Sequence, residues 1–389
     1  MIGIHICIFT ENTHPNKQLK LIVGGIENQI LNLLSSYEKI NNINISIVTK
    51  YSKYVSHSGK VKIYEIHKFK NLMIDSLYFY IKSLIKIIKI HRKNPIDILN
   101  VHTFTIEILV PYFMRLLFKI PLLMKIPIDF ESHLKELYLH EKKKARSTMI
   151  NISWFNFFRE FVLKKINYVR AVNNKILNDL IKKRYPEDRI ILIPNGVNVK
   201  QLLRINKKSH RGTHFGYVGR LTKFKNLRFL LEVFKNYLLE NFNDKLFIYG
   251  TGPEERFISD FVKENNLIKS IILCGFEKDK EEIYSNIDVL IDPAFSQGIS
   301  NSVLESMSTK TFVIASNVEG NKDLIENMIN GLLFNPFNKN ELLNCLKFYK
   351  DNKELVQVIL KKAYLNIKEN YDINIVANKI YSFLRKTLK

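Results

Sequence analysis

Residues 217–226 read Y-V-G-R-L-T-K-F-K-N. Apolar residues lead up to Gly219, Arg220 follows at the tip, and Lys225 stands just before a pattern of helical spacing, so a strand, a turn and a helix start are expected. In open parallel sheets, ligands bind at the carboxyl ends of the strands. A guanidinium fork and a lysine point charge five residues apart suit a diphosphate there, because together they neutralise the charge that grows as it leaves. Taken alone, the same letters also describe a solvated basic loop in a lysine-rich chain.

Short apolar runs recur on both sides of this stretch. Residues 4–9, 45–49, 96–101, 121–126, 168–172 and 190–193 precede it, and 245–249, 271–274, 289–291 and 312–315 follow the strand expected at 216–218. Helical spacing lies between them. The alternation predicts parallel strands joined by crossover helices, in two doubly wound α/β halves. A length of 389 residues also favours two domains. The polar, basic stretch from Asn198 to Gly212 is the expected linker, giving an N-terminal domain 1–204, a C-terminal domain 205–365 and a C-terminal helix 366–389 that could pack back on the first domain.

The composition, 46% apolar and 25% charged, is that of a globular chain. Lys and Arg number 60 against 37 Asp and Glu, with the excess concentrated in the first 200 residues. An anionic partner or a generally basic surface would explain it. Nucleic acid is disfavoured, since no helix-turn-helix, zinc or aromatic RNA-binding signature is present. Cys7, Cys274 and Cys345 lie far apart, without metal or disulfide spacing, which fits a reducing cytoplasm. The opening M-I-G-I-H-I-C-I-F-T reads as a buried strand rather than a leader, and the apolar stretch 106–128 is broken by Glu107, Arg115, Lys119 and Lys125.

Residues 78–93 place Lys82, Lys86, Lys89 and Lys93 on one helical face and Ile81, Leu84, Ile85 and Ile88 on another. The simple expectation is a crossover helix with that isoleucine side on the sheet. With the basic stretches 140–146 and 159–165, the lysines would also give the domain a face suited to an anionic leaflet.

Further turns follow expected strands. Gly24-Gly25 precede a helix with Ile26, Ile30 and Leu33 in register, where backbone could approach a phosphate. I-P-N-G-V-N (193–198) and Y-G-T-G-P (249–253) place Gly196, Gly250 and Gly252 where positive φ would be useful. The dinucleotide fingerprint G-x-G-x-x-G is absent, and so is any D-x-D triplet.

Taken in order, Gly-Gly, P-N-G-V, V-G-R-L with a following lysine, G-T-G-P and S-Q-G-I-S-N-S-V-L-E (296–305) resemble the signature of glycosyltransferase family 4 across essentially the whole chain. That resemblance implies a GT-B fold: two doubly wound Rossmann-like domains facing a central cleft. It implies that Arg220 and Lys225 grip the donor diphosphate, that Glu305 accepts from the nucleotide ribose, and that Gly24 and Gly25 lie over the phosphates. Gly298, Ile299, Ser300 and Ser302, with Val303, correspond to the helix start facing the donor, and Gly252 to the donor-side glycine turn. Gln297 stands where the family has its first acid, which contacts the donor sugar; an amide keeps the shape but supplies no charge. His102 resembles a histidine near donor sugar and acceptor, with Phe104 in place of a second histidine. Asp129, Glu131 and His133 fall in the same region without an assigned role. Asn198 and Asn173 replace a common aspartate and serine.

The implied activity is retaining transfer of a hexose or N-acetylhexosamine from a nucleotide diphosphate sugar, UDP favoured over GDP, to a lipid-linked glycan. The setting would be capsule or lipopolysaccharide biosynthesis, in the cytoplasm or peripherally on the cytoplasmic face of the inner membrane. No cofactor or metal is expected, with basic side chains at the leaving diphosphate. The rival, prompted by Gln297, is a catalytically silent nucleotide- or sugar-binding subunit of a membrane glycan assembly complex.

Overall fold

The structure is a computed structural model that describes residues 3–10, 25–52, 54–67, 72–102, 108–127, 161–296 and 298–388. The chain forms two compact units, one of residues 1–196 and 373–389, the other of residues 197–372.

In the first unit the strands are β1 Ile4–Phe9, β2 Ile43–Thr49, β3 Val61–Glu65, β4 Ile98–Val101, β5 Leu122–Ile126, β6 Tyr168–Ala171 and β7 Ile190–Leu192. They pair in parallel in the order β3-β2-β1-β4-β5-β6-β7. The order reverses between β1 and β4, where a doubly wound sheet opens its crevice. Helices α1 Gly25–Tyr37, α2 Leu72–Lys93, α3 Leu109–Phe118 and α4 Asn174–Lys182 connect them. Asn173 caps α4, its side chain accepting from Ile176 N–H at 2.9 Å, so asparagine does there what a serine would.

The second unit has β8 His214–Val218, β9 Lys245–Tyr249, β10 Ile271–Gly275, β11 Val289–Asp292, β12 Phe312–Ser316 and β13 Leu332–Phe334, all parallel, in the order β10-β9-β8-β11-β12-β13. Its helices are α5 Val199–Leu202, α6 Leu227–Leu238, α7 Glu255–Glu264, α8 Lys280–Asn286, α9 Asn301–Ser308, α10 Glu319–Lys322, α11 Lys339–Asp351 and α12 Lys353–Asn370. The core gathers Phe215, Leu230, Phe234, Ile248, Ile291 and Ile314 around the sheet. The chain then returns to the first unit as α13 Ile373–Thr387, which packs beside α1 and buries Ile373, Val376, Ala377, Ile380 and Leu384 with Ile30, Leu33 and Tyr37. Each of the larger of these side chains contributes about 1.5–3 kcal/mol by leaving water.

Three expectations need revision. The units divide at 196/197 and 372/373 rather than at 204/205 and 365/366, because Asn198 caps α5 through Gln201 N–H and the Lys208 N–H donates to Ser285 O inside the second unit. Gly196 is not at positive φ; a side chain there would meet Ile373 at 2.8 Å, so the glycine makes room for α13. Finally, α2 turns Phe79, Ser83, Ile87 and Ile90 inward, leaving Ile81 and Ile85 exposed. Its isoleucine face does not lie on the sheet.

Candidate functional site

In the second unit, the tip of β8 is laced to the tip of β9. Gly219 N–H donates to Tyr249 O, Leu221 N–H to Thr251 O, and Glu254 N–H to Leu221 O, each at 3.0 Å. A Cβ on Gly250 would lie 1.8 Å from Gly219 O, and one on Gly252 would lie 2.4 Å from Leu221 O, with φ of 142° and 159°. Glycine is therefore required for the two loops to meet, and Gly252 acts by its missing side chain. The Tyr217 hydroxyl donates to Arg220 O at 2.7 Å, which pins the backbone while the Arg220 side chain is exposed. Lys225 closes a 3-10 turn, Lys223–Lys225, stopped by Asn226 at φ 55°.

Neighbouring β11 ends at Asp292, and the chain reaches α9 through residues 293–300. Ser300 occupies the N-cap position of α9 without capping it. Its hydroxyl instead donates to Asp292 Oδ2 at 2.9 Å and lies 3.0 Å from Ser302 Oγ. Ile299 and Val303 are buried, so whatever they offer a ligand comes from backbone. Gly298 is buried as well, and Gln297 lies outside the described residues.

Glu305, in the second turn of α9, has one oxygen paired with the Lys280 ammonium and the other accepting from the Tyr284 hydroxyl at 2.8 Å. Burial and the Glu305 charge push Tyr284 well above the usual tyrosine range, keeping it a donor. A carboxylate has about four acceptor positions, so two more hydroxyls can be received on the oriented group. The sequence reading missed Lys280 and Tyr284. Their spacing of four along α8, which puts both on one helical face, was the available signal.

In the first unit, Gly25 opens α1, and Gly24 lies outside the described residues, as do Asp129, Glu131 and His133. Gln29 clasps the Pro-Asn-Gly turn, accepting from Gly196 N–H at 3.0 Å and donating to Gly196 O at 2.9 Å. His102 directly follows β4 and is 1% exposed. Neither ring nitrogen has a hydrogen-bond partner among the described residues. Burial, then Lys125 and Arg170, hold its pKa well below the usual value, so the ring is neutral.

Those two cations were not foreseen. Lys125 of β5 and Arg170 of β6 are register partners, 1% and 2% exposed. Arg170 donates to Ile193 O and Pro194 O, and burial lowers it to about 10. Lys125 is held well below the ordinary lysine value by burial and then by Arg170, with Glu27 of α1 opposing. A charged letter inside each of the runs L-L-M-K-I and Y-V-R-A was the trace they left.

Among the described residues of the second unit, two hollows bear on the site. One of about 660 Å³, lined by Lys207, Asp288, Lys310, Tyr349, Lys361 and Tyr364, lies where β11 and β12 begin, at the edge opposite the site. The other, about 340 Å³ and lined by Lys223, Asn226, Arg228, Glu254 and Phe295, borders the Arg220 turn. The second has the position expected of a ligand site in an open sheet.

Comparison with known proteins adds the following. A model described as Glycosyltransferase Family 4 matches residues 23–201, and one described as Glycosyl transferases group 1 matches residues 212–351. The chain is 27% identical over 313 residues, 77% of each chain, to a UDP-Gal:alpha-D-GlcNAc-diphosphoundecaprenol alpha-1,3-galactosyltransferase of Escherichia coli. The sucrose-phosphate synthase of Thermosynechococcus elongatus superposes with TM-score 0.78 at 16% identity, covering 98% of each chain. Anabaena HepE in complex with UDP-glucose superposes with TM-score 0.74 at 14% identity, covering 99% of this chain and 100% of that one. Structural likeness at such identity speaks for the fold, a GT-B arrangement of two parallel-sheet α/β domains.

Proposed function

This chain belongs to the group 1, family 4 glycosyltransferases, and on that premise we propose that it transfers a sugar from a UDP-sugar to a hydroxyl of a lipid-linked glycan, with retention at the anomeric carbon. Glycosyl transfer in polysaccharide or lipid-linked glycan biosynthesis is the part that the relatives support directly. The donor, the acceptor and the stereochemistry are our reading.

One observation carries it. At the β8/β11 switch point a rigid, laced turn presents Arg220 and Lys225, while α9 of the adjoining crossover holds Glu305 with its oxygens oriented by Lys280 and Tyr284. This set suits a nucleoside diphosphate: ribose hydroxyls on Glu305, phosphates on the cations and the start of α9. As the bond from anomeric carbon to diphosphate oxygen breaks, Arg220 and Lys225 take up the growing charge. The acceptor oxygen bonds to the same face, and its proton passes to the departing diphosphate oxygen. No separate base is then required, and turnover is expected to survive EDTA. Neutral His102 offers one donor and one acceptor, suited to a sugar hydroxyl rather than to a phosphate. Gln297 would meet the sugar as an amide, at a cost of about 1–3 kcal/mol if the family's carboxylate there only holds a hydroxyl.

Thermal shift with UDP, GDP, ADP, CDP and their sugar conjugates tests the reading without an acceptor. UDP at 100 times its dissociation constant should stabilise by about 2.7 kcal/mol, and Arg220→Ala should lose most of that. The absence of a response to every nucleotide would turn the assignment toward a silent subunit.

A further inference from the structure

The outward face of α2 is apolar. Ile74, Leu77, Ile81 and Ile85, spaced three, four and four along the helix, are 43% to 64% exposed, and so are Phe113 and Leu117 on α3. The two helices pack together, with the His91 and Phe118 rings 5.4 Å apart, so their exposed faces are neighbours. Contiguous exposed apolar surface of this kind marks an interaction site.

Charge selects the occupant. Along one flank of the stripe run Lys82, Lys86, Lys89 and Lys93, and Arg92 continues its line. The only acid of α2 is Asp75, which is buried beside Lys50, and α3 has none. Lys86 lies over the Tyr64 ring and Lys82 over the Tyr78 ring, so both stems lie along aromatic surface. A second copy docked with its α2 antiparallel about a two-fold axis would oppose this basic flank to itself. An acidic membrane would receive both parts at once, the apolar stripe at the acyl boundary and the lysines among the headgroups.

We propose that α2 and α3 form an insertion face for an anionic bilayer, docking the first unit by buried apolar side chains as well as by charge. No helix of the described residues is long and apolar enough to cross a membrane, so this is a face that lies in the interface. The inference rests on the lipid-linked acceptor of the proposed function and adds where the lipid surface would sit.

Vesicle sedimentation of the full chain tests it, with phosphatidylcholine alone and with phosphatidylcholine containing phosphatidylglycerol. The protein should bind the anionic vesicles, and raised salt should weaken that binding without abolishing it. Leu77→Glu with Ile81→Glu should lower partitioning at least tenfold even at low salt. Lys82→Gln with Lys89→Gln should lower it by roughly thirtyfold at low salt, from about 1 kcal/mol per lysine, and little at high salt. All four positions are on the surface, so both variants should keep the unfolding midpoint and the UDP-dependent shift, which separates failure here from failure of the donor site. Wild type that ignores anionic vesicles at low salt would overturn the proposal. So would an undiminished Leu77→Glu/Ile81→Glu variant, or one that instead abolishes a concentration-dependent dimer.

Discussion

The carboxyl ends of the two sheets both gather positive charge, but they hold it differently. In the second unit the cations stand on loops: Arg220 is exposed and Lys225 half-buried, on a turn fixed by backbone hydrogen bonds and obligatory glycines. In the first unit the cations are inside the strands, Lys125 beside Arg170, both almost wholly buried. A charge at the surface costs the fold little. Two like charges in a low-dielectric interior weigh on folding itself, as the lowered Lys125 and Arg170 pKa values indicate. Substitutions should therefore separate activity from stability in the second unit and couple them in the first.

The sharpest test is Arg220→Ala. If Arg220 holds the leaving diphosphate as proposed, its loss should lower kcat/KM about 10²- to 10³-fold, while the unfolding midpoint moves by less than about 2 °C because the side chain is exposed. A large drop in midpoint would erase the contrast. Next is Lys125→Met, which replaces a buried cation by an apolar chain of similar length. It should stabilise the first unit by about 1–4 kcal/mol, read by urea denaturation. If it destabilises instead, the ammonium is contributing to the fold and the buried pair must be read as a structural asset.

The smallest effect is that of pH. His102 is neutral in the folded chain, below its ordinary value of 6.5 because of burial and the two cations. As pH falls past that ordinary value, the unfolded chain takes the proton first. The contribution of His102 is therefore intact above about pH 6.5 and lost as pH falls toward the folded value. His5 and His214, both lowered chiefly by burial, act in the same direction. The unfolding midpoint should decline from about pH 7.5 to about pH 5.5, and less steeply in His102→Leu. An unchanged slope in that variant would remove His102 from the account.

What could be read from the letters follows the same division. Buried central strands and glycine-governed turns obey local rules, and β1, β4, β5, β8, β9, β11 and β12 stand within two residues of where apolar runs put them. The missed strands, β3 and β13, are both sheet edges; one is half-exposed and the other has three residues. The facing of α2 was misread because periodicity assigns the most apolar side to the interior, and here the interior side carries Ser83 and Asp75. Lys125, Arg170, Lys280 and Tyr284 left only a faint trace, a charged letter in an apolar run or a spacing of four, because each matters through a neighbour on a different strand or helix and no local pattern records that partner.

The last helix of the chain, α13, completes the core of the unit that the chain began. Residues 197–372 form a continuous unit and have all their strands in hand while the first sheet still lacks Ile373, Val376, Ile380 and Leu384. Domains usually mature on the ribosome in the order of their synthesis. Here that order cannot hold for the first unit: its core stays open until residues 373–387 are available, after every strand and helix of the second unit has been made.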